Sequence, residues 1–316
     1  MKLQKIDMVR ERIKNDFDKL KAEHPDKVKR RIDISFSTWI FGLETLEESM
    51  ERLAKFNVKF IEIGGDYGGP DVGCQTDPDG VKKLLEKYKL ECSGICGFFC
   101  DTNALSTNNN FLRQTAKDYI RKEAHFCKQV GGRYLLVVPG TVGRNRTYDQ
   151  SDYARSVSTL KSVADVFISE NIKCAVEPIN SGEVPICSTI DSVLGYIKDI
   201  NHPGVQHING DIYHMLREEE NIPEAILKAG DRLVNLHLSD TNRAPIGNGM
   251  MDMDTIIRAL YLIGYNQEGH FVTGEPIGAG TDSYAITYGR HPESFKEKLV
   301  KDTVECFRER EEAIFS

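Results

Sequence analysis

No apolar run in this 316-residue chain approaches the ~20 residues that a helix needs to cross a bilayer. The N-terminal stretch 1–31 has no continuous apolar segment of the secretory kind. There is no long basic run, and the net charge is −7, which argues against an extended nucleic-acid footprint. Eight cysteines in a chain of this size, without a secretory signal, read as reduced thiols rather than a disulfide framework. Cys92, Cys96 and Cys100 are spaced four apart, and along a strand such neighbours stand about 13 Å from each other, too far to converge on one cluster. They read as small buried hydrophobes facing one side of a strand. These absences describe a cytoplasmic protein with no membrane or nucleic-acid partner. No low-complexity segment and no second domain interrupt it.

What the chain does have is alternation. Apolar, β-branched runs occur at 31–37, 58–64, 90–99, 133–140, 172–178, 204–210, 232–240 and 269–275. Helical periodicity fills the intervals, among them 45–56, 77–90, 111–132 and 153–171, with further helices before the last two strands and at the end. Eight strand-helix units predict a (β/α)8 TIM barrel over 31–316. A doubly wound open sheet is the alternative, and it usually has fewer strands and a glycine-rich first turn, which is lacking here. Ahead of the barrel, Ile6, Val9, Ile13, Phe17 and Leu20 recur at helical spacing, predicting an amphipathic helix in an extension over 1–30 that packs on the barrel.

In such a barrel the functional site lies at the C-terminal ends of the strands. The runs "CAVEPIN" and "FVTGEPIG" each stop at an acid followed by proline, Glu177-Pro178 and Glu275-Pro276. Asp211 and His214 follow strand six, His237 and Asp240 end strand seven, and Arg243 sits in the next loop. Glu177, Asp211, His237 and Glu275 form a hard-to-borderline donor set suited to Mn2+, Mg2+, Co2+ or Zn2+. With no cysteine among them, a structural zinc is disfavoured. A cation held there acts as Lewis acid and template for a hydroxy-carbonyl. The two glutamates then exchange protons with the adjacent carbon, one from each face.

Blander roles compete for individual residues. An acid at a strand end often caps a helix, and Asp254, just before "TIIRAL", reads that way. His207 and His125 read as packed or surface histidines. Arg144 and Arg146 suit either a phosphate grip or a solvated loop. The convergence of acids and imidazole at four consecutive strand ends favours metal binding.

Four motifs, E-P-x-N at 177–180, D-x-x-H at 211–214, H-x5-R at 237–243 and E-P at 275–276, carry a resemblance. Over about residues 30–310 the chain resembles the xylose-isomerase-like barrels of the sugar isomerase/epimerase superfamily, most closely the ketose 3-epimerases of the D-tagatose/D-psicose type. The resemblance implies one divalent metal, Mn2+, Co2+ or Mg2+, on Glu177, Asp211, His237 and Glu275. It implies that Glu177 and Glu275 are the acid/base pair, acting through a metal-stabilised enediolate of a sugar or sugar phosphate. His214 and Arg243 match positions that hold the sugar's oxygens, and Glu183 matches a further substrate-binding acid. Trp39, in "SFSTWIFG", stands where a wall for the sugar is expected. The stretches 69–80 and 278–292 look like loops covering the site. A homo-oligomer and a small sugar or polyol substrate are also implied. The same superfamily holds aldose–ketose isomerases, inosose dehydratases and hydroxypyruvate isomerases. An endonuclease IV-like metal hydrolase needs more strand-end histidines than this chain supplies, and a sugar-binding barrel without catalysis should lack one of the two glutamates.

Overall fold

Runs dense in valine, isoleucine and leucine suit strands buried on both faces, where branched side chains pack well on the pleat. The structure, a computed structural model, describes residues 5–67 and 72–316. Among these residues lie β1 (Asp33–Ser37), β2 (Phe60–Gly64), β3 (Glu91–Cys96), β4 (Tyr134–Val137), β5 (Lys173–Val176), β6 (His207–Asp211), β7 (Leu233–Leu238) and β8 (Phe271–Gly274). Each is parallel to the next, and β1 pairs with β8 through Asp33 opposite Phe271 and Ser35 opposite Thr273. The sheet closes into the expected (β/α)8 barrel.

The intervening helices start where the sequence offers caps. Thr45 and Glu48 form a reciprocal capping box at the head of Leu46–Lys55. Asp77 accepts from the backbone of Asp79 and Gly80 ahead of Pro78–Tyr88. The helix Asn110–Gln129 stops before Gly131, whose φ of +79° favours glycine. One expectation fails. The stretch 153–171 is not a single helix but two, Asp152–Lys161 and Asp165–Ser169. Near the break the hydroxyls of Thr159 and Ser162 bond back to the carbonyls of Arg155 and Thr159, competing with the helical ladder.

The N-terminal helix, Lys5–Glu23, buries Val9, Ile13 and Phe17, while Ile6 stays exposed. Phe17 packs its ring against Tyr261 and Phe315. The helix therefore docks on the outside of the barrel, beside the helix Met253–Leu262.

Most of the apolar core fills the space between sheet and helices. Inside the barrel, alternation sends every second strand residue inward, and the inward residues change character with height. Phe60, Tyr134, Ala175 and Phe271 form a small apolar floor. Above it lie the fully buried polar side chains of Glu62, Asn209, Asn235 and Thr273. The rim above these carries Glu177, Asp211, His237 and Glu275, all buried.

Candidate active site

Glu177 and Glu275 are the last residues to donate to the barrel ladder. The Glu177 N–H reaches the Val137 carbonyl at 3.0 Å, and the Glu275 N–H reaches Leu238 at 2.9 Å. Pro178 and Pro276 have no N–H to continue it, so the chain turns outward there. On the neighbouring strands the register sets Asp211 directly opposite His237. His237 Nδ1 lies 3.6 Å from Glu177 Oε1 and 3.2 Å from Glu275 Oε1. Ligand atoms of Glu177, Asp211 and His214 fall within 4.8 Å of one another, as do those of Glu62, His237 and Glu275. The four residues expected to hold a metal are thus divided between two adjacent clusters, linked by the contacts of His237 with Glu177 and Glu275, and Glu177, Asp211 and Glu275 line a cavity of about 500 Å3.

Asp211 divides its two oxygens. Oδ1 caps the following helix by accepting from Tyr213 N at 2.8 Å. Oδ2 is buried and has no hydrogen-bond partner among the described residues. Burial, with Glu275 beside it, pushes the Asp211 carboxyl up to about 7. Burial also raises Glu177 and Glu275, against the opposing charge of His237. His237 is itself held well above the usual histidine range: Glu275, Glu62 and Glu177 outweigh the cost of its burial. Four buried acids, Glu62, Glu177, Asp211 and Glu275, face the cations Arg243 and His237. An orphaned carboxylate oxygen within such a surplus of negative charge fits a divalent cation, with hard oxygen and imidazole donors.

The residues expected around a substrate line the same cavity: Trp39, Glu183, His214 and Arg243. His214 is kept neutral, its pKa pushed well down by burial and then by Arg243. Asn180 Nδ2 donates to His214 Nδ1 at 2.8 Å, and its Oδ1 accepts from Arg217 and from Gly182 N, so the amide orientation is fixed at both ends. The imidazole proton therefore sits on Nε2, 3.4 Å from Asp211 Oδ2. Asn180 also donates to Glu183 Oε1 at 2.9 Å. Arg243 bonds Glu275 Oε2 at 3.2 Å and lies over the ring of Tyr213, while its buried Nε has no partner among the described residues. Its φ of +59° is uncommon for an arginine and typical of a functional site. Trp39 Nε1 donates to Glu275 Oε1 at 2.6 Å, and Phe98 meets the indole edge-on.

Of the two loops expected to cover the site, 278–292 contributes Ser283, Thr287 and Tyr288 to the cavity wall. In 69–80, residues 69–71 lie outside the described residues, and those from 72 onward do not line the cavity. Arg144 and Arg146 are also away from it: Arg144 stacks on Tyr148 and donates to the Arg146 carbonyl.

Several smaller expectations are corrected. The helix Met253–Leu262 is capped by Asp252, whereas Asp254 lies in its first turn and pairs with Arg310. Asp240 organises its own loop, accepting from Thr241, Gly247 and Met251 N–H groups. Cys100 falls beyond the end of β3 and is exposed, unlike Cys92 and Cys96. His125 and His207 are as expected: His125 pairs with Glu170 at the surface, and His207 is half-buried in β6, burial lowering its pKa to about 4.

The sequence reading passed over a polar layer directly beneath the rim. Thr273 Oγ1 donates to Asn235 Oδ1, Asn235 Nδ2 to Asn209 Oδ1, and Asn209 Nδ2 to Glu177 Oε1, at 2.7, 2.7 and 2.8 Å. Asn209 and Asn235 precede Asp211 and His237 by two positions, so alternation alone places each pair on one face. Glu62 has the same kind of signal, an acid in the middle of the apolar run "FIEIG".

Residues 50–309 match the family described as xylose isomerase-like TIM barrel. The chain is 28% identical over 199 residues to an L-ribulose 3-epimerase of Methylomonas sp., covering 60% of this chain and 67% of that one. It is 32% identical over 192 residues to a ketose 3-epimerase of Arthrobacter globiformis, covering 60% and 66%. The chain thus spans about two thirds of the length of these curated relatives. Among solved structures, a D-allulose 3-epimerase from Methylomonas sp. in complex with D-allulose superposes with a TM-score of 0.77 at 20% identity, over 89% of this chain and 98% of that one. At that identity the likeness is one of fold.

Proposed function

The chain belongs to the xylose isomerase-like TIM-barrel family, and on that footing we propose that it is a divalent-metal-dependent sugar epimerase catalysing ketose 3-epimerisation. The observation that carries the proposal is the pair of buried glutamates from β5 and β8, meeting at the same nitrogen of His237 from 3.6 and 3.2 Å. The names of the relatives, an L-ribulose and a ketose 3-epimerase, support a ketose as substrate and C3 as the reacting carbon.

In this reading Glu177, Asp211, His237 Nδ1 and Glu275 hold one Mn2+, Co2+ or Mg2+. A cation held by these residues would supply Lewis-acid polarisation of a sugar carbonyl. One glutamate takes the proton from C3 and the other returns a proton to the opposite face, so the substrate is isomeric with the product. Burial, by raising both carboxyls, makes them stronger bases near neutral pH than exposed acids are. The neutral His214, through Nε2–H, and Arg243, through its unpartnered Nε–H, are donors for oxygens that gain negative charge as the proton leaves. Trp39, Tyr67 and Phe98 wall the cavity with aromatic surface that keeps water from the reacting carbon.

Among the described residues that line the cavity, Arg243 is the one Lys or Arg, and it is engaged with Glu275. That favours an unphosphorylated sugar. The free state of all eight cysteines supports a reducing, cytoplasmic setting.

Proton exchange tests the proposal. The Mg2+-loaded protein, incubated in D2O with ketoses and their phosphates, is expected to place deuterium at C3 as the epimer forms. Glu177→Gln and Glu275→Gln each remove one acid/base group, and the exchange rate is expected to fall by at least about 10²–10⁴-fold. Deuterium at C1 with an aldose forming would make the enzyme an isomerase. No exchange despite bound metal would leave dehydration of a polyol as the better reading.

A further inference from the structure

His237 is gripped from below as well as from above. Its Nδ1 faces Glu177 and Glu275 at the rim, while Nε2 points down into the barrel and lies 3.1 Å from Glu62 Oε1. Glu62 is fully buried on β2, across the barrel from β7. The same oxygen accepts from Tyr134 OH at 2.7 Å and from Asn235 Nδ2 at 3.2 Å, so three donors converge on Oε1. Oε2 has no partner among the described residues. A carboxylate has no proton to offer, and a tyrosine hydroxyl and an amide have already given theirs to Oε1, so the hydrogen between Glu62 and His237 belongs to the imidazole.

We propose that Glu62 is a positioning residue: by accepting the Nε2 proton of His237 it fixes the imidazole in the tautomer and orientation that turn the Nδ1 lone pair toward the cation site. The inference deepens the reading of Glu177, Asp211, His237 and Glu275 as a cation site and rests on it. The arrangement is a carboxylate behind a metal-facing imidazole, a support whose loss generally costs about 10–100-fold in metal affinity. Glu62 stands two residues beyond Phe60 of the floor, so alternation along β2 turns it into the same barrel interior. The Tyr134 hydroxyl, rising from the aromatic floor, anchors the carboxylate from below. The Asn235 amide joins Glu62 to Asn209 and so to Glu177, which makes one network responsible for two of the expected ligands.

Glu62→Gln is the informative change. It preserves shape, but its amide can donate to Nε2 and so favour the opposite tautomer, with the proton on Nδ1. The full-length protein and this variant would be compared by Mn2+ titration, with free ion read by electron paramagnetic resonance. Both would also be labelled with 15N-histidine and loaded with 113Cd2+, where a coupling between cadmium and nitrogen identifies the ligating atom. In the unsubstituted protein the coupling is expected at Nδ1 of His237, with the proton on Nε2. In Glu62→Gln the Mn2+ affinity is expected to fall 10–100-fold and the Nδ1 coupling to weaken or vanish. Tyr134→Phe, which keeps the carboxylate, should change Mn2+ affinity by less than Glu62→Gln does. An unchanged affinity in a folded Glu62→Gln protein overturns the proposal. So does lowered affinity with the Nδ1 coupling intact, because the carboxylate would then act by charge alone. If Glu62→Gln does not fold, the unsubstituted protein still decides: cadmium on Nε2, or a proton on Nδ1, refutes the assignment. Failure of the cation-site reading looks different, since the unsubstituted protein would then bind no Mn2+, and both ideas would fall together.

Discussion

Trp39→Phe isolates a single hydrogen bond to one of the two proposed acid/base groups. Phenylalanine retains an aromatic wall against Phe98 and under Arg243, and deletes the Nε1–H that reaches Glu275 Oε1 at 2.6 Å. A hydrogen bond to a charged group is worth about 1.5–3 kcal/mol net. Trp39 is only half-buried, so the lower end, about 1.5 kcal/mol, is the better figure. The donor favours the ionised carboxylate, so its removal must raise the Glu275 pKa further. The acid limb of kcat/KM should then move to higher pH, and the rate below that limb should drop about tenfold. The assay is C3 deuterium incorporation from pH 5 to 9 in Trp39→Phe and the unsubstituted enzyme. An unmoved limb with an unchanged rate would refute the argument. A rise in KM alone would show Trp39 to be a wall for the sugar and nothing more.

Metal and pH should be linked through Asp211. Folded, its carboxyl keeps its proton up to about 7, whereas the unfolded chain releases it at about 3.9. Between those values the folded state binds more protons, so this group makes metal-free protein less stable as pH rises. EDTA-treated protein should therefore gain more in Tm from Mn2+ at pH 8 than at pH 5.5, and Mn2+ affinity should fall as pH drops through about 7; equal Tm gains at both pH values would contradict this. Phe17→Ala empties a fully buried position between Tyr261 and Phe315, and urea unfolding should show a loss of about 3–5 kcal/mol. Deuterium exchange should persist in that variant, because Phe17 does not line the cavity.

The rim was legible for a local reason. An apolar run that halts at Glu-Pro shows in the linear sequence both the acid and the end of the ladder, and Glu177 and Glu275 stand at those stops. Asp211 and His237 could be read the same way, as polar residues closing apolar runs. Asn180 lay within a recognised motif, yet its task, holding the His214 tautomer, depends on Arg217 from the helix Ile212–Glu218 beyond β6. Asp252 and Asp254 are both acids ahead of an apolar helix, and only the backbone path decides which of them caps it. The split of 153–171 escaped notice because its apolar period continues across the break.

By itself the sequence determined the strand count, the helices between most strands, the amphipathic face of the N-terminal helix and the residues at the strand ends. Each is set by periodicity and by residues close in the chain, where hydrophobic pattern and proline act directly. Tertiary structure decided the layer beneath. That Glu62 meets His237, 175 residues away, depends on closure of the barrel, which brings the inward faces of β2 and β7 together. Closure also removes water from those side chains, and a buried carboxylate must then find its donors wherever the opposite strands bring them.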